Sequence, residues 1–183
     1  LYIKSNTAER EWGDSTSGLK FSIIRSTLSS LTSSSITHAK NWRPQALVMF
    51  KMDKNGSIDD PDLLNFTGQM KKGRGLALFI GCIEGDPITD FSCVAAAEEK
   101  LVAHWKASHI TGFARAIMAN NQYDAFITAH QTVGIAALKP NTVITSWKYA
   151  WEENSERTAK YVNELKAAVA AKLAIIIFKQ SQE

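Results

Sequence analysis

Ala46-Leu47-Val48-Met49-Phe50-Lys51-Met52, followed by the turn Asp53-Lys54-Asn55-Gly56, is the stretch that decides the fold. Its apolar run is interrupted only by Lys51, and it is too short and too continuous for the one-sided stripe of a surface helix. A strand buried on both faces fits it, and such strands belong to parallel sheets covered by helices on either side. Reading outward from it, strands and helices alternate. Pro61 suits the first turn of a helix to about Met70, and a second apolar strand runs from Leu76 to Ile83. Asp90 precedes a helix from Phe91 to Ala107 with Val94, Ala97, Leu101, Val102 and Trp105 as its buried stripe. A strand Phe113 to Ala119, a helix Tyr123 to Leu138, a strand Thr142 to Trp147, a helix Ser155 to Ala171 and a strand Leu173 to Lys179 complete the pattern. Five buried strands joined by crossover helices predict a doubly wound, mostly parallel α/β sheet.

Upstream the pattern differs. Phe21, Ile24, Leu28 and Leu31 recur at helical spacing, so a helix from about Ser17 to Leu31 carries an apolar face. Thr32-Ser33-Ser34-Ser35 then reads as a polar linker open to kinases. The expected organisation is a helical arm with its serine-rich linker over 1–38 and an α/β domain over 39–183. The arm's stripe needs a cover, either its own domain, a partner subunit or a membrane domain.

Bulk properties narrow the function. The chain of 183 residues is 45% hydrophobic, enough for one compact core. No apolar run approaches the ~20 residues that span a bilayer, and no signal peptide opens the chain. Net charge is +3, and the one dense basic stretch, Lys71-Lys72-Gly73-Arg74, lacks interleaved aromatics, so nucleic acid is not an expected partner. Cys82 and Cys93 form no CxxC pair and read as free thiols of a reducing compartment. The sequons at Asn55 and Asn65 read as chance matches.

Catalytic signatures are absent: no GxSxG, HExxH, GxxxxGK[ST] or GxGxxG occurs, which argues against an enzyme. His38, His104, His109 and His130 fall in different elements without ligand spacing, so no metal is expected. Open parallel sheets bind ligands beyond the carboxyl ends of strands where the strand order reverses. For an order 3-2-1-4-5 that crevice lies between strands one and four. It would bring Lys51, Met52 and Asp53 toward Ser146, Trp147 and Lys148, a lysine for phosphate, an apolar wall for a base and a carboxylate for a ribose hydroxyl. Against this, strand ends carry Lys and Asp simply where they emerge into solvent, and no glycine-rich loop follows strand four. Gly81, in Gly81-Cys82-Ile83-Glu84-Gly85, permits close backbone approach or an ordinary turn. Trp42, before the first strand, reads as a packing anchor.

Three blocks carry a resemblance: Glu9-Arg10-Glu11-Trp12-Gly13-Asp14, Gly18-Leu19-Lys20-Phe21-Ser22, and Lys40-Asn41-Trp42-Arg43-Pro44-Gln45 with the strand after it. They resemble the start of the cytosolic C-terminal domain of potassium-chloride cotransporters. Leu138-Lys139-Pro140-Asn141-Thr142-Val143 resembles a block of the wider cation-chloride family. Trp42, where phenylalanine is usual in the sodium-dependent branch, and the Glu11-Trp12-Gly13-Asp14 segment before it favour the potassium-chloride branch.

The resemblance implies a regulatory and dimerisation domain of an electroneutral symporter on the cytosolic side of the plasma membrane. Its implied partners are the transporter's own transmembrane domain, preceding Leu1, a second copy in a homodimer, and regulatory kinases. A second α/β half is implied after Glu183. It also implies a fold similar to universal stress proteins, with no required cofactor but with ATP or ADP as a ligand, and Arg43 and Lys51 as phosphate contacts. Ser146 and Tyr149 stand where universal stress proteins place a Gly-xx-Gly loop. The competing reading is a free-standing nucleotide-binding protein of the universal-stress type.

Overall fold

The computed structural model describes residues 15–33, 42–71, 75–107, 112–148 and 154–180. The boundary expected near 38/39, the segment 9–14, His38, His109, Tyr149 and most of the basic run at 71–74 lie outside them.

The elements are α1 (Ser15–Ser33), β1 (Gln45–Met52), α2 (Pro61–Lys71), β2 (Leu76–Glu84), α3 (Phe91–Ala107), β3 (Phe113–Ala119), α4 (Gln122–Thr132), β4 (Thr142–Ser146), α5 (Ser155–Ala170) and β5 (Ala174–Phe178). The strands form one sheet in the order β3-β2-β1-β4-β5. Every neighbouring pair is parallel, with Gln45 opposite Leu76 and Ala46 opposite Thr142 in the central register. This is the doubly wound α/β sheet that the alternating pattern predicts, and its order reverses between β1 and β4.

Strand side chains alternate between faces, and β1 divides its residues accordingly. Ala46, Val48, Phe50 and Met52 join Leu63 and Leu64 of α2 and Val94, Ala97 and Leu101 of α3 in one core. Leu47 and Met49 join Ala125, Phe126 and Ala129 of α4 and Ala168 of α5 in the other. Local chemistry starts the helices. Asp60 Oδ1 accepts from Leu63 N ahead of Pro61, Asn121 Oδ1 accepts from Asp124 N at 2.8 Å, and Asn154 accepts from Glu156 N and Arg157 N.

Four expectations need correction. The helix expected to run to Leu138 stops at Thr132, because Gly134 takes φ +100° and Ala136 φ +51°, conformations that no helix accommodates. Thr32 and Ser33 belong to α1 and not to a linker; the Thr32 hydroxyl donates back to the Leu28 carbonyl at 2.8 Å. β4 ends at Ser146, one residue before Trp147. Trp42 is 51% exposed and anchors no core.

Among residues 16–32, α1 is exposed on every face, with Leu28 alone half-buried. Phe21 and Ile24 are 69% and 56% exposed. No helix among the described residues is long and apolar enough to cross a membrane.

Candidate functional site: the cleft above the carboxyl ends of β1 and β4

The residues of β1 that face α4 and α5 are Leu47, Met49 and Lys51. The first two are core. Lys51 is the last of that row, exposed where the strand outruns its cover, and so its ammonium enters the space above the sheet. There it lines a cleft of about 430 Å³ together with Lys148 after β4, Glu84 at the end of β2, and Arg157, Lys160 and Glu164 of α5. Gln122, at the start of α4, lines the same cleft; its Nε2 is buried without a hydrogen-bond partner among the described residues. A second hollow of about 370 Å³ adjoins it, lined by Ser146 and Trp147 and sharing Lys51 and Lys148.

The structure therefore brings Lys51, Ser146, Trp147 and Lys148 together at the reversal point of the sheet. It does not bring the other expected residues there. Arg43 precedes β1, eight residues before Lys51, which puts the two about 26 Å apart along an extended chain. Its carbonyl accepts from Asn141 Nδ2 at 2.8 Å at the opposite edge of the sheet. Met52 points to the other face and is 1% exposed in the α2/α3 core. The Asp53 carboxylate is occupied by its own turn, accepting from Ser57 N at 2.7 Å. Gly81 lies within β2, where a Cβ would meet Met52 Cε at 2.7 Å; it makes room for that side chain and lines neither hollow.

The electrostatics of the cleft are mixed. Lys148 Nζ lies 5.4 Å from the centre of the Phe126 ring, a cation–π contact that fixes it beneath α4. Burial pushes the Glu164 carboxyl up to about 7, with Lys148 pulling in the opposite direction. Burial raises the Tyr161 phenol as well, and Glu164 adds to it. Lys160 pairs with Glu156 at 2.7 Å within α5. Trp147 makes an edge contact with Tyr161 at 6.3 Å, and Lys179 Nζ lies 5.4 Å from its ring centre. Among the described residues no group of His, Cys, Asp and Glu could hold a metal ion. Sequence reasoning missed Arg157, Lys160, Glu164 and Gln122, because α5 and α4 converge on the cleft only through the crossover geometry.

Fold and cleft together define an α/β domain of the open-sheet class, with cationic side chains at the switch point. The family model for solute carrier family 12 matches residues 60–183, and the chain belongs to that family, the cation-chloride cotransporters. This is a family of membrane transporters and not of enzymes. Among solved structures, the chain is similar to a universal stress protein in complex with cAMP, with 15% identity and a TM-score of 0.45 over 76% of this chain and 100% of that one.

Proposed function

We propose that the chain is the cytosolic regulatory and dimerisation domain of an electroneutral potassium-chloride symporter, and that its cleft takes an adenine nucleotide, ATP or ADP. Family membership supports a place in a cotransporter. The potassium branch rests on Trp42 and on the Trp12-Gly13-Asp14 block. The nucleotide part is carried by one observation, the convergence of Lys51 and Lys148 at the reversal of the strand order. Two ammonium groups at the rim suit a polyphosphate, since Lys acts on phosphate as a mobile point charge. Lys51, Lys148 and Arg157 would take the phosphates, and the Ser146–Trp147 hollow would take the base.

The apolar stripe Phe21, Ile24, Leu28 and Leu31 of α1 is the contact surface for a second copy or for the transmembrane domain of the same transporter, with regulatory kinases acting on the exposed serines around it. Titration calorimetry with ATP and ADP tests the site. Saturable binding at sub-millimolar affinity supports it, and absence of heat at millimolar nucleotide overturns it. Light scattering on the same sample tests dimerisation through α1.

A further inference from the structure

α4 stops at Thr132 and leaves the amino-terminal half of β2 and β3 without a helix on that face. What remains is an apolar groove of about 620 Å³ with Leu76, Leu78 and Ile80 of β2 as its floor and Phe113 and Ile117 of β3 on one side. Val133 and Ile135, from the segment that follows α4, close the other side. Phe113 and Ile135 are 62% and 66% exposed. Arg115, the one charged lining residue among the described residues, turns its Nε to Glu98 at 3.7 Å. An apolar floor of this kind inside an otherwise covered sheet is a surface built to be occupied.

The same chain carries a second uncovered apolar surface of matching size. The stripe of α1 from Phe21 to Leu31 is about 15 Å long at the helical rise. The groove floor from Leu76 to Ile80 is about 13 Å long at the strand rise.

The two are tethered at the right edge. The arm enters the α/β body at Trp42-Arg43-Pro44, and this entry touches the groove directly. Pro44 O accepts from Leu76 N, the first residue of the floor, at 3.1 Å. Gln45 Nε2 donates at 3.2 Å to the carbonyl of Ala137, in the segment that closes the groove. From Ser33 to Trp42 are nine chain steps, which reach at most about 32 Å, enough for α1 to fold back over the neighbouring groove. A short tether makes that docking intramolecular, at an effective concentration in the millimolar range.

We infer that the groove between β2, β3 and the end of α4 is the docking site of the chain's own α1, and that docking covers the stripe which α1 otherwise offers to a second copy. The arm is then a latch: docked, the chain is closed to partners; released, it can pair. This deepens the reading of α1 as a contact surface and rests on it, but not on the nucleotide site.

Amide hydrogen exchange of α1, followed by mass spectrometry on the chain at low concentration, tests the latch. Docking predicts that α1 amides are protected, and that either Ile135→Arg at the groove rim or Ile24→Arg on the arm raises their exchange at least tenfold. The unfolding midpoint should fall only by the docking free energy, about 1.4 kcal/mol for a tenfold loss of protection, and by a similar amount in both variants. Ile88→Arg, 89% exposed and outside the groove, should leave α1 exchange as it was. Unprotected α1 amides in the unmodified chain overturn the inference, and so does protection that Ile135→Arg leaves intact. Protection that rises with protein concentration and passes to an isotope-labelled second copy on mixing also overturns it, in favour of an exchanged arm. That last result would still support dimerisation through α1, whereas a chain that stays monomeric by light scattering when Ile135→Arg releases the arm would count against dimerisation alone.

Discussion

The Asn141 carboxamide accepts the Gln45 N–H through Oδ1 at 2.9 Å, at the edge of the sheet where β1 and β4 begin. The same group takes the Thr142 hydroxyl at 2.9 Å, and its Nδ2 donates to Arg43 O at 2.8 Å. The backbone of Asn141 bonds Gln45 O and Ala174 N, so one residue holds the entries of β1, β4 and β5 in register. Asn141→Ala removes three side-chain hydrogen bonds between part-buried or exposed groups and should cost about 1–3 kcal/mol, at about 0.5–1.5 kcal/mol for each. Asn141→Asp keeps the acceptor, loses the donor to Arg43 O, and should also destabilise. Urea unfolding at constant slope measures both; an unchanged midpoint for the alanine variant would show that water replaces the carboxamide.

Gly81 and Met52 form a packed pair of a different kind. A Cβ at Gly81 would stand 2.7 Å from Met52 Cε and 3.1 Å from Sδ, and Met52 has no outlet because it is 1% exposed. Gly81→Ala should therefore destabilise by about 1–3 kcal/mol through overpacking. Met52→Ala alone should cost about 2–5 kcal/mol as a cavity. The double variant should lose clearly less than the sum, because each change relieves the other. Additive costs in a denaturation cycle would mean that the thioether moves aside freely.

These two pairs also mark what the sequence could and could not disclose. The parallel sheet was legible because Ala46 to Met52 and Leu76 to Ile83 are runs too apolar for any one-sided element. The crossovers implied parallel pairing but not the strand order, which was a supposition that the sheet's order bears out. The site was only half legible. Lys51, Ser146 and Trp147 arrive at the cleft as their positions imply, but period-two alternation turns Met52 into the opposite core, and Gly81 serves that side chain. Arg43 sits next to the strand in sequence and at its far end in space. The end of α4 misled for a physical reason: Val133, Ile135 and Leu138 continue an apolar pattern after the backbone has turned at Gly134 and Ala136. Spacing along the chain carries no record of that turn.

Glu164 makes stability depend on pH. Its folded carboxyl, pushed up to about 7 by burial, holds a proton that the unfolded chain has released above the ordinary carboxylate range near 4.3. Between about pH 4.5 and 7 the folded state thus binds more protons, and stability falls as pH rises, by up to about 3 kcal/mol in total. His130, depressed by burial, acts with the opposite sign over part of this window. The comparison with Glu164→Gln isolates the carboxyl. That variant should lose the downward slope and exceed the parent in stability at pH 8. Parallel stability curves for the two proteins from pH 5 to 8 would remove Glu164 as the cause. Lys148 pulls against the shift, so its replacement by Met should carry the downward slope to higher pH and enlarge the total loss.

The two thiols should react unequally. Cys82 is fully buried, and burial pushes its thiol up to about 12, so almost no thiolate exists at neutral pH. Cys93 is half-buried near the start of α3. An alkylating reagent at pH 8 should modify Cys93 in the native chain and reach Cys82 only on unfolding, which peptide mass spectrometry resolves. Equal labelling of both without denaturant would mean that β2 opens readily.

The geometry separates Arg43 from the cleft that Lys51 and Lys148 line. A guanidinium whose own backbone is bonded to Asn141 lies at the amino edge of β1, about 26 Å of strand away from the cleft. Lys51 and Lys148 line both hollows. Lys51→Ala and Lys148→Ala should each weaken ATP binding about tenfold or more, equivalent to about 1.4 kcal/mol per tenfold. Arg43→Ala should leave affinity within about twofold, below the scale of a charge-assisted contact. Raising salt should weaken binding to the parent more than to either lysine variant, because the lost term is ionic. Calorimetry on the three variants checks the order. A large loss in Arg43→Ala with none in Lys148→Ala would move the ligand to the amino edge of the sheet and leave the carboxyl-end cleft without a nucleotide role.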